Sequence, residues 1–336
     1  MREQTKSAMV YHLEKAIAAA GEQALPQVKP YRFPLVELSY GTEEIMAACQ
    51  VLFSGQLTMG PLVEAFEKQF AEYAGSKYAV MVNSGSSANL LAVAAYCDPD
   101  SPVQLKRGDR VAMPAVAWST SIWPWVQFGI EPVFVDVDPK TLNLDQAALE
   151  RAYKVKPFKA IQLVHTLGNG CEMGELLAFA KKHGLLVFED TCEALGSTYK
   201  SRVLGTLGVV GTYSFYFSHH ITTIEGGMVV TNNARLYDIL RTQRAHGWAR
   251  QHSKYKKYIR DNPDVDPRFL FISTGFNLRP MEIQAAFGQC QLRKLDGMNE
   301  NRIKNVEALK ARLGELRASL PAKDQWKLDL TFPMPT

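Results

Sequence analysis

The sequence predicts an α/β fold with a mostly parallel β-sheet and helices on both faces. Three observations support this. Strand-length apolar runs alternate with helical segments from about residue 60 to residue 240, the runs are apolar at nearly every position, and 336 residues exceed one ordinary core. Ligands bind beyond the carboxyl ends of such strands. The residues that bind ligand or take part in a reaction are therefore expected in the loops that follow the strands.

The elements follow one another in a regular order. Strands are predicted at residues 78–82, 110–113, 132–136, 160–164, 185–188 and 228–231, and helices at 61–73, 86–96 and, interrupted by Gly288, 280–316. We expect an N-terminal helical extension over residues 1–30, a large α/β domain over 31–275 that carries the ligand site, and the start of a smaller C-terminal α/β domain over 276–336. The chain ends where a further strand is expected to begin, so we expect this smaller domain to be incomplete.

Composition excludes several classes of protein. The 38 basic and 34 acidic residues leave a net charge of +4, which is too even to indicate nucleic-acid binding. No apolar run approaches the ~20 residues of a membrane span, and the N-terminus lacks a signal peptide, so we expect a cytoplasmic protein that does not enter the membrane. The five cysteines show no C-x-x-C spacing and are expected to be reduced thiols. We expect no metal site.

The first informative loop is 83–89, which joins a predicted strand to a helix with small polar residues. The backbone amides of Gly85 and Ser86 at the start of that helix would suit a phosphate group. A plain helix cap has the same composition.

Two further loops follow predicted strands. Asp190 and Glu193 lie in the segment after residues 185–188, and an aspartate at such a place can hold a proton on a pyridine nitrogen, although it can equally cap a helix. Trp118 lies after residues 110–113, where it could stack on an aromatic ring or simply fill the core.

The fourth segment, residues 214–227, carries Ser214, the adjacent histidines His219 and His220, and a Glu-Gly-Gly sequence that begins at Glu225. Adjacent histidines in a polar turn are poorly explained by packing. They can also be a surface accident or metal ligands, and the segment alone does not decide between these interpretations.

Taken together and in this order, the four segments resemble the DegT/DnrJ/EryC1/StrS sugar aminotransferase family, over roughly residues 30–316. The resemblance implies the fold type I architecture of pyridoxal phosphate enzymes. It also implies a pyridoxal phosphate site in which Ser214, Gly85 and Ser86 hold the phosphate, Trp118 stacks on the ring and Asp190 pairs with its nitrogen. Asn277, in Gly-Phe-Asn-Leu-Arg-Pro, matches an asparagine that reaches the phosphate of the neighbouring subunit. A homodimer with shared active sites is therefore implied.

The sequence departs from the aminotransferases at one decisive position. They place a Schiff-base lysine six residues before the glutamate of Glu-Gly-Gly, and here that position is His219. No lysine lies between Arg202 and Lys254 to replace it. An imidazole cannot form the covalent link to the cofactor, but it is a suitable base near neutral pH.

This histidine is typical of the 3-dehydratase branch of the family, as is Glu193 in place of a glutamine, and His246 matches a substrate-contacting histidine. The resemblance implies that His219 is the catalytic residue and that pyridoxamine or pyridoxal 5′-phosphate is bound noncovalently. It also implies removal of the C3 hydroxyl of a nucleotide-linked 4-keto-6-deoxy sugar, close to GDP-4-keto-6-deoxymannose, with ammonia release and re-amination by L-glutamate. A related dehydratase type carries an iron–sulfur cluster held by cysteines, but the corresponding loop, 248–271, contains no cysteine, so we expect no cluster.

Two alternatives stay open at this point. The chain could be an aminotransferase-like enzyme for another sugar nucleotide, or a noncatalytic cofactor-binding homologue that has lost its lysine. The first differs in product, because an aminotransferase yields an amino sugar rather than ammonia and a 3-deoxy sugar. The second is disfavoured because random loss would leave any residue at position 219, whereas a proton-transferring histidine stands there.

Overall fold

A computed structural model describes residues 10–16, 19 and 38–323. Within this part the chain forms a seven-stranded sheet and a two-stranded ribbon. The strands are β1 (Tyr78–Val82), β2 (Arg110–Pro114), β3 (Glu131–Val135), β4 (Ala160–Val164), β5 (Leu186–Asp190), β6 (Thr198–Tyr199), β7 (Arg202–Val203), β8 (Val210–Ser214) and β9 (Gly227–Thr231).

The main sheet has the order β1-β9-β8-β5-β4-β2-β3. The pairs β2–β3, β2–β4, β4–β5 and β5–β8 are parallel, whereas β9 runs antiparallel to both β8 and β1. The prediction of a mostly parallel sheet is confirmed. The antiparallel strand arises because β8 and β9 are joined by a short loop, residues 215–226, rather than by a crossover helix.

Helices cover both faces of the sheet, as predicted. They are α1 (Thr42–Ser54), α2 (Pro61–Ala74), α3 (Gly85–Cys97), α4 (Ser119–Gln127), α5 (Gln146–Val155), α6 (Met173–His183), α7 (Ala234–Arg244), α8 (Tyr255–Asp261) and α9 (Glu282–Ser319). In β1, Val80 and Val82 pack with α3, α4 and α7, whereas Ala79 and Met81 pack with α2 on the opposite face. A third core cluster packs α5 and α6 against β3, β4 and β5.

The structure corrects three details of the predicted elements. Strand β5 extends through Asp190, so Glu189 and Asp190 are its last two residues and do not begin the following loop. Strand β3 starts and ends one residue earlier than predicted. Helix α9 runs unbroken through Gly288, because a Cβ atom at that position would lie 2.5 Å from the ring of Phe66, so glycine there permits close packing rather than a break.

The three-domain division remains a prediction. Residues 10–16 and 19 of the proposed N-terminal extension are helical, and its other residues lie outside the described part of the chain. Of the proposed C-terminal domain, the described residues form mainly α9, whose first half is buried against α1 and α2. Residues 324–336 lie outside the description. None of the described helices is both long and apolar enough to cross a bilayer.

Candidate active site

A cavity of about 630 Å³ opens at the carboxyl ends of the parallel strands. Strands β4, β5 and β8 end at its wall, as expected for a sheet of this class. Its lining comprises Ser84, Gly85, Ser86, Asn89, Val116, Ala117, Trp118, Thr120, Ser121, Val164, Thr166, Leu167, Asp190, Cys192, Glu193, Ser214, Tyr216, Ser218, His219 and Glu225. All four loops singled out from the sequence therefore meet at one place.

The amino end of α3 forms one side of this cavity. Ser84 caps the helix by accepting a hydrogen bond from the Ser87 amide at 3.1 Å, so the first free amides belong to Gly85 and Ser86. A Cβ atom on Gly85 would lie 2.5 Å from Cβ and 2.7 Å from Oγ of Ser214. Glycine thus allows a serine hydroxyl to approach the helix terminus, an arrangement that favours an anion.

Asp190 lies deep in the cavity and is only 4% exposed. Its Oδ2 accepts hydrogen bonds from Ser121 Oγ at 2.7 Å and from Asn89 Nδ2 at 2.8 Å, while Oδ1 accepts the Cys192 amide at 3.1 Å. These donors compensate for the cost of burying a carboxylate.

Two apolar side chains form walls of the cavity. Trp118, at the start of α4, is 74% exposed, so its ring is available to a ligand rather than used in the core. Leu167 adopts the left-handed region at φ 54°, and its amide donates to Glu193 Oε2 at 2.7 Å. Glu193 therefore holds the Leu167 turn in addition to lining the cavity itself.

Helix α9 fixes the loop that carries His219. Gln284 Nε2 donates to the Glu225 carbonyl, and Gln291 Oε1 accepts the Thr222 amide at 3.2 Å. The His219 amide donates to the Tyr216 carbonyl at 2.9 Å, which closes a turn that presents the imidazole to the cavity. A mobile surface loop would lack such anchors.

The electrostatic surroundings of His219 favour its neutral form. Burial lowers the pKa of its imidazole below the ordinary value of 6.5, and the negative charges of Glu193 and Asp190 partly oppose this shift. The neighbouring His220 is more deeply buried, and burial together with Arg302 and His219 lowers its pKa to about 4. At neutral pH both rings are therefore uncharged, and His219 can accept a proton.

Two predicted residues lie away from the cavity of this chain. Asn277 is exposed and accepts a hydrogen bond from Arg279 Nε at 2.9 Å, and its backbone bridges to Ala245. His246 has φ 62° and packs edge-on against Trp248. The roles expected of Asn277 across a dimer and of His246 toward substrate stay predictions.

His165 has a structural role in the core. It is fully buried, its Nδ1 accepts the Cys171 amide at 3.1 Å, and its Nε2 lies 3.2 Å from Glu189 Oε2. Because Nδ1 is an acceptor, the ring donates through Nε2 to that carboxylate. Both of its nitrogen atoms are thus occupied within the protein.

Sequence reasoning missed Asn89, Ser121 and Leu167. Asn89 lies one helical turn after Gly85, and this helical spacing could have placed it on the same face as Gly85. Ser121 follows Trp118 within the first turn of α4, where serine is commonly explained as a capping residue. Leu167 carries no sequence signal for its left-handed backbone.

The cavity fits a flat, phosphorylated heteroaromatic cofactor. Free amides and the Ser214 hydroxyl are available at the helix end, an exposed indole lies beside the cavity, and a hydrogen-bonded carboxylate stands at its floor. Among the described residues, no cluster of three potential metal ligands occurs. Pyridoxal or pyridoxamine phosphate matches this set of groups: a phosphate, a ring and a basic ring nitrogen.

Comparison with known proteins supports this assignment. The model of the DegT/DnrJ/EryC1/StrS aminotransferase family matches residues 39–332. A curated relative, GDP-4-keto-6-deoxy-D-mannose 3-dehydratase of Yersinia pseudotuberculosis, is 42% identical over 295 residues, which cover 87% of this chain and 73% of the relative.

Two solved structures are similar in fold and sequence. The E. coli GDP-4-keto-6-deoxy-D-mannose 3-dehydratase with bound hydrated pyridoxal phosphate superposes with a TM-score of 0.76 at 41% identity, covering 82% of this chain and 71% of that one. A GDP-4-keto-6-deoxymannose 3-dehydratase with a trapped pyridoxal phosphate–glutamate geminal diamine superposes with a TM-score of 0.74 at 40% identity. The match covers 79% of this chain and 68% of that one.

Proposed function

The chain belongs to the DegT/DnrJ/EryC1/StrS aminotransferase family, and on that premise we propose that it is a nucleotide-sugar 3-dehydratase. It depends on pyridoxal or pyridoxamine phosphate and removes the C3 hydroxyl of GDP-4-keto-6-deoxymannose, the substrate named for its relatives. One observation carries the proposal: the imidazole of His219 lines the cofactor cavity at the position where aminotransferases of the family have lysine.

The residues of the cavity suggest how the cofactor is held. The amides of Gly85 and Ser86, with the Ser214 hydroxyl, would bind its phosphate, and Trp118 would cover its ring. Asp190 would hold a proton on the ring nitrogen, with Glu193 beside it in the same cavity. When bound, pyridoxamine phosphate would supply the amine that reacts with the C4 ketone and the electron sink needed for elimination at C3.

His219 is proposed to move the protons of this reaction. The unprotonated imidazole nitrogen of His219 would accept a proton from the C4′ carbon of the cofactor. The resulting imidazolium would then protonate the departing C3 hydroxyl, which leaves as water. A single group with a pKa somewhat below neutrality can perform both steps. Hydrolysis of the released sugar enamine gives a 3-deoxy-4-keto sugar and ammonia, and L-glutamate restores the amino group. The glutamate adduct in a related structure supports this last step.

The wider setting is also proposed. We infer a homodimer in which Asn277 completes the partner's phosphate site and His246 contacts the sugar nucleotide, because both side chains lie outside the cavity of their own chain. All five cysteines are free and dispersed, which supports a cytoplasmic enzyme that works without an iron–sulfur cluster. Neither nucleic acid nor a membrane is proposed as a partner.

The product of the reaction tests the proposal. Purified protein incubated with pyridoxal phosphate, L-glutamate and GDP-4-keto-6-deoxymannose is expected to release ammonia together with a sugar nucleotide that has lost one oxygen. Mass spectrometry and an ammonia assay measure the two products. Formation of a 4-amino sugar without ammonia would instead make the protein an aminotransferase.

We also expect a defined pH dependence. His219 must be neutral to accept a proton, so activity falls as the pH drops through its lowered pKa, below 6.5. Glu193→Gln removes a charge that raises this pKa, so the acid limb of the kcat profile should move to lower pH. Glu175→Gln, an exposed glutamate on α6, is the matched control and should leave the limb in place. An acid limb that moves upward in Glu193→Gln would exclude His219 as the titrating base.

A further inference from the structure

Two polar residues outside the expected cofactor set donate to one oxygen of Asp190, and a third residue donates to one of these two. Ser121 Oγ, from α4, lies 2.7 Å from Asp190 Oδ2, and Asn89 Nδ2, from α3, lies 2.8 Å from the same atom. Thr212 Oγ1, from β8, lies 2.6 Å from Asn89 Oδ1. All three residues are buried, Ser121 being 2% exposed, so water does not compete for these hydrogen bonds.

The chemistry of the donors fixes the direction of this chain. An amide oxygen can only accept, so the hydroxyl of Thr212 donates to Asn89 Oδ1, which turns the Asn89 NH₂ group toward Asp190. The NH₂ group can only donate, and therefore its partner Oδ2 must be an acceptor. The network thus runs Thr212 to Asn89 to Asp190, with Ser121 as a second donor.

The network leaves Oδ1 as the atom of Asp190 available to a ligand. Among the described residues, Oδ1 accepts one hydrogen bond, from the Cys192 amide at 3.1 Å, and a carboxylate oxygen has room for another. Two donors on Oδ2 also fix the rotation of the carboxylate about its side chain. The orientation of the Asp190 side chain is therefore fixed before any ligand binds.

Building on the proposed function, we propose that Ser121, Asn89 and Thr212 are positioning residues that hold the Asp190 side chain in the orientation that directs Oδ1 at the ring nitrogen of the cofactor. They act through Asp190 and touch neither phosphate nor substrate. Their contribution is specific to a protonated nitrogen, because a carboxylate forms a strong charge-assisted hydrogen bond with an N–H group and forms none with an aromatic C–H group.

A pair of cofactors that differ only at this nitrogen tests the proposal without any catalytic assay. Pyridoxamine phosphate and its 1-deaza analogue, in which a C–H replaces the ring nitrogen, are titrated into the apoprotein and followed by tryptophan fluorescence. The wild type should prefer pyridoxamine phosphate. In Ser121→Ala this preference, the ratio of the two dissociation constants, should fall about tenfold, because one hydrogen bond to a charged group is lost.

Matched variants separate positioning from general packing. Thr212→Val keeps the shape but removes the hydroxyl and should lower the preference, whereas Thr212→Ser keeps the hydroxyl and should retain it. Ser101→Ala removes another buried serine, one that donates to the Val103 carbonyl away from the cavity, and should leave the ratio unchanged. Thermal melts identify any variant that does not fold.

Two results would overturn the inference. One is an equal weakening of both cofactors in Ser121→Ala and Thr212→Val, which indicates a purely structural role. The other is a wild type without preference, which removes Asp190 from the ring nitrogen. Neither depends on turnover. A failed proposed function would appear instead as missing ammonia and 3-deoxy sugar in the product assay, even with the cofactor preference intact.

Discussion

Replacing His219 with asparagine is expected to reduce dehydration by about 10³- to 10⁴-fold, while binding of pyridoxamine phosphate stays within a fewfold of the wild type. General acid–base catalysis by one group typically contributes about 10²- to 10⁴-fold, and here one imidazole serves as base and then as acid. The proposed phosphate, ring and nitrogen contacts come from other residues, so the cofactor should still bind. Single-turnover kinetics with the loaded protein measures the chemical step directly.

Two further variants sharpen this test. His183→Asn is the matched control, because His183 ends α6 just before β5 begins, at the edge of the sheet opposite the cavity, and its loss should leave turnover unchanged. His219→Lys should produce a covalent adduct with pyridoxal phosphate, detected by mass spectrometry after borohydride reduction. Substantial turnover in His219→Asn would remove this residue from its proposed role.

The sheet could be predicted from the sequence because its strands are apolar at nearly every position and are separated by helices. The reversal of β9 could not, since a strand's direction depends on the length and path of the loop before it, and the 215–226 loop resembles any polar connection. Gly288 misled the prediction for a related reason. Glycine is needed there because the ring of Phe66, more than 200 residues away in the sequence, packs directly against it, and helix propensity does not reveal this contact.

The candidate site likewise contains residues that the sequence predicts and residues that only the structure reveals. Gly85, Ser86, Trp118, Asp190, Glu193, Ser214 and His219 could be chosen in advance because each stands in a loop or strand end at the ligand edge, and all of them line one cavity. Asn89 and Ser121 carry equally direct contacts to Asp190, yet both lie inside helices, where their residue types have ordinary explanations. Only the three-dimensional packing of α3 against α4 brings them to the same oxygen.

The second large effect is expected for Asp190→Asn, which should lower dehydration by roughly 10²- to 10³-fold, the usual cost of losing one preorganised electrostatic partner. The surrounding donors determine how the new amide must sit. Two donors, Ser121 and Asn89, point at the Oδ2 position, and one, the Cys192 amide, points at Oδ1. The amide oxygen should therefore take the Oδ2 position and the NH₂ group the Oδ1 position. The cofactor nitrogen would then meet a donor instead of an acceptor, which stabilises its unprotonated form and removes the electron sink.

Asp190→Asn is therefore expected to favour the unprotonated ring nitrogen, and not merely to weaken the binding of the protonated one. Asp190→Asn should still fold and bind cofactor, but the proton on the ring nitrogen, followed by ¹⁵N NMR of labelled pyridoxamine phosphate, should be lost at neutral pH. Asp296→Asn, an exposed aspartate on α9 near Tyr73, makes the same substitution away from the cavity and should change neither signal nor rate. A ring nitrogen that stays protonated in Asp190→Asn would mean that another group supplies the charge, and the chain from Thr212 through Asn89 would then end at a carboxylate without a part in the chemistry.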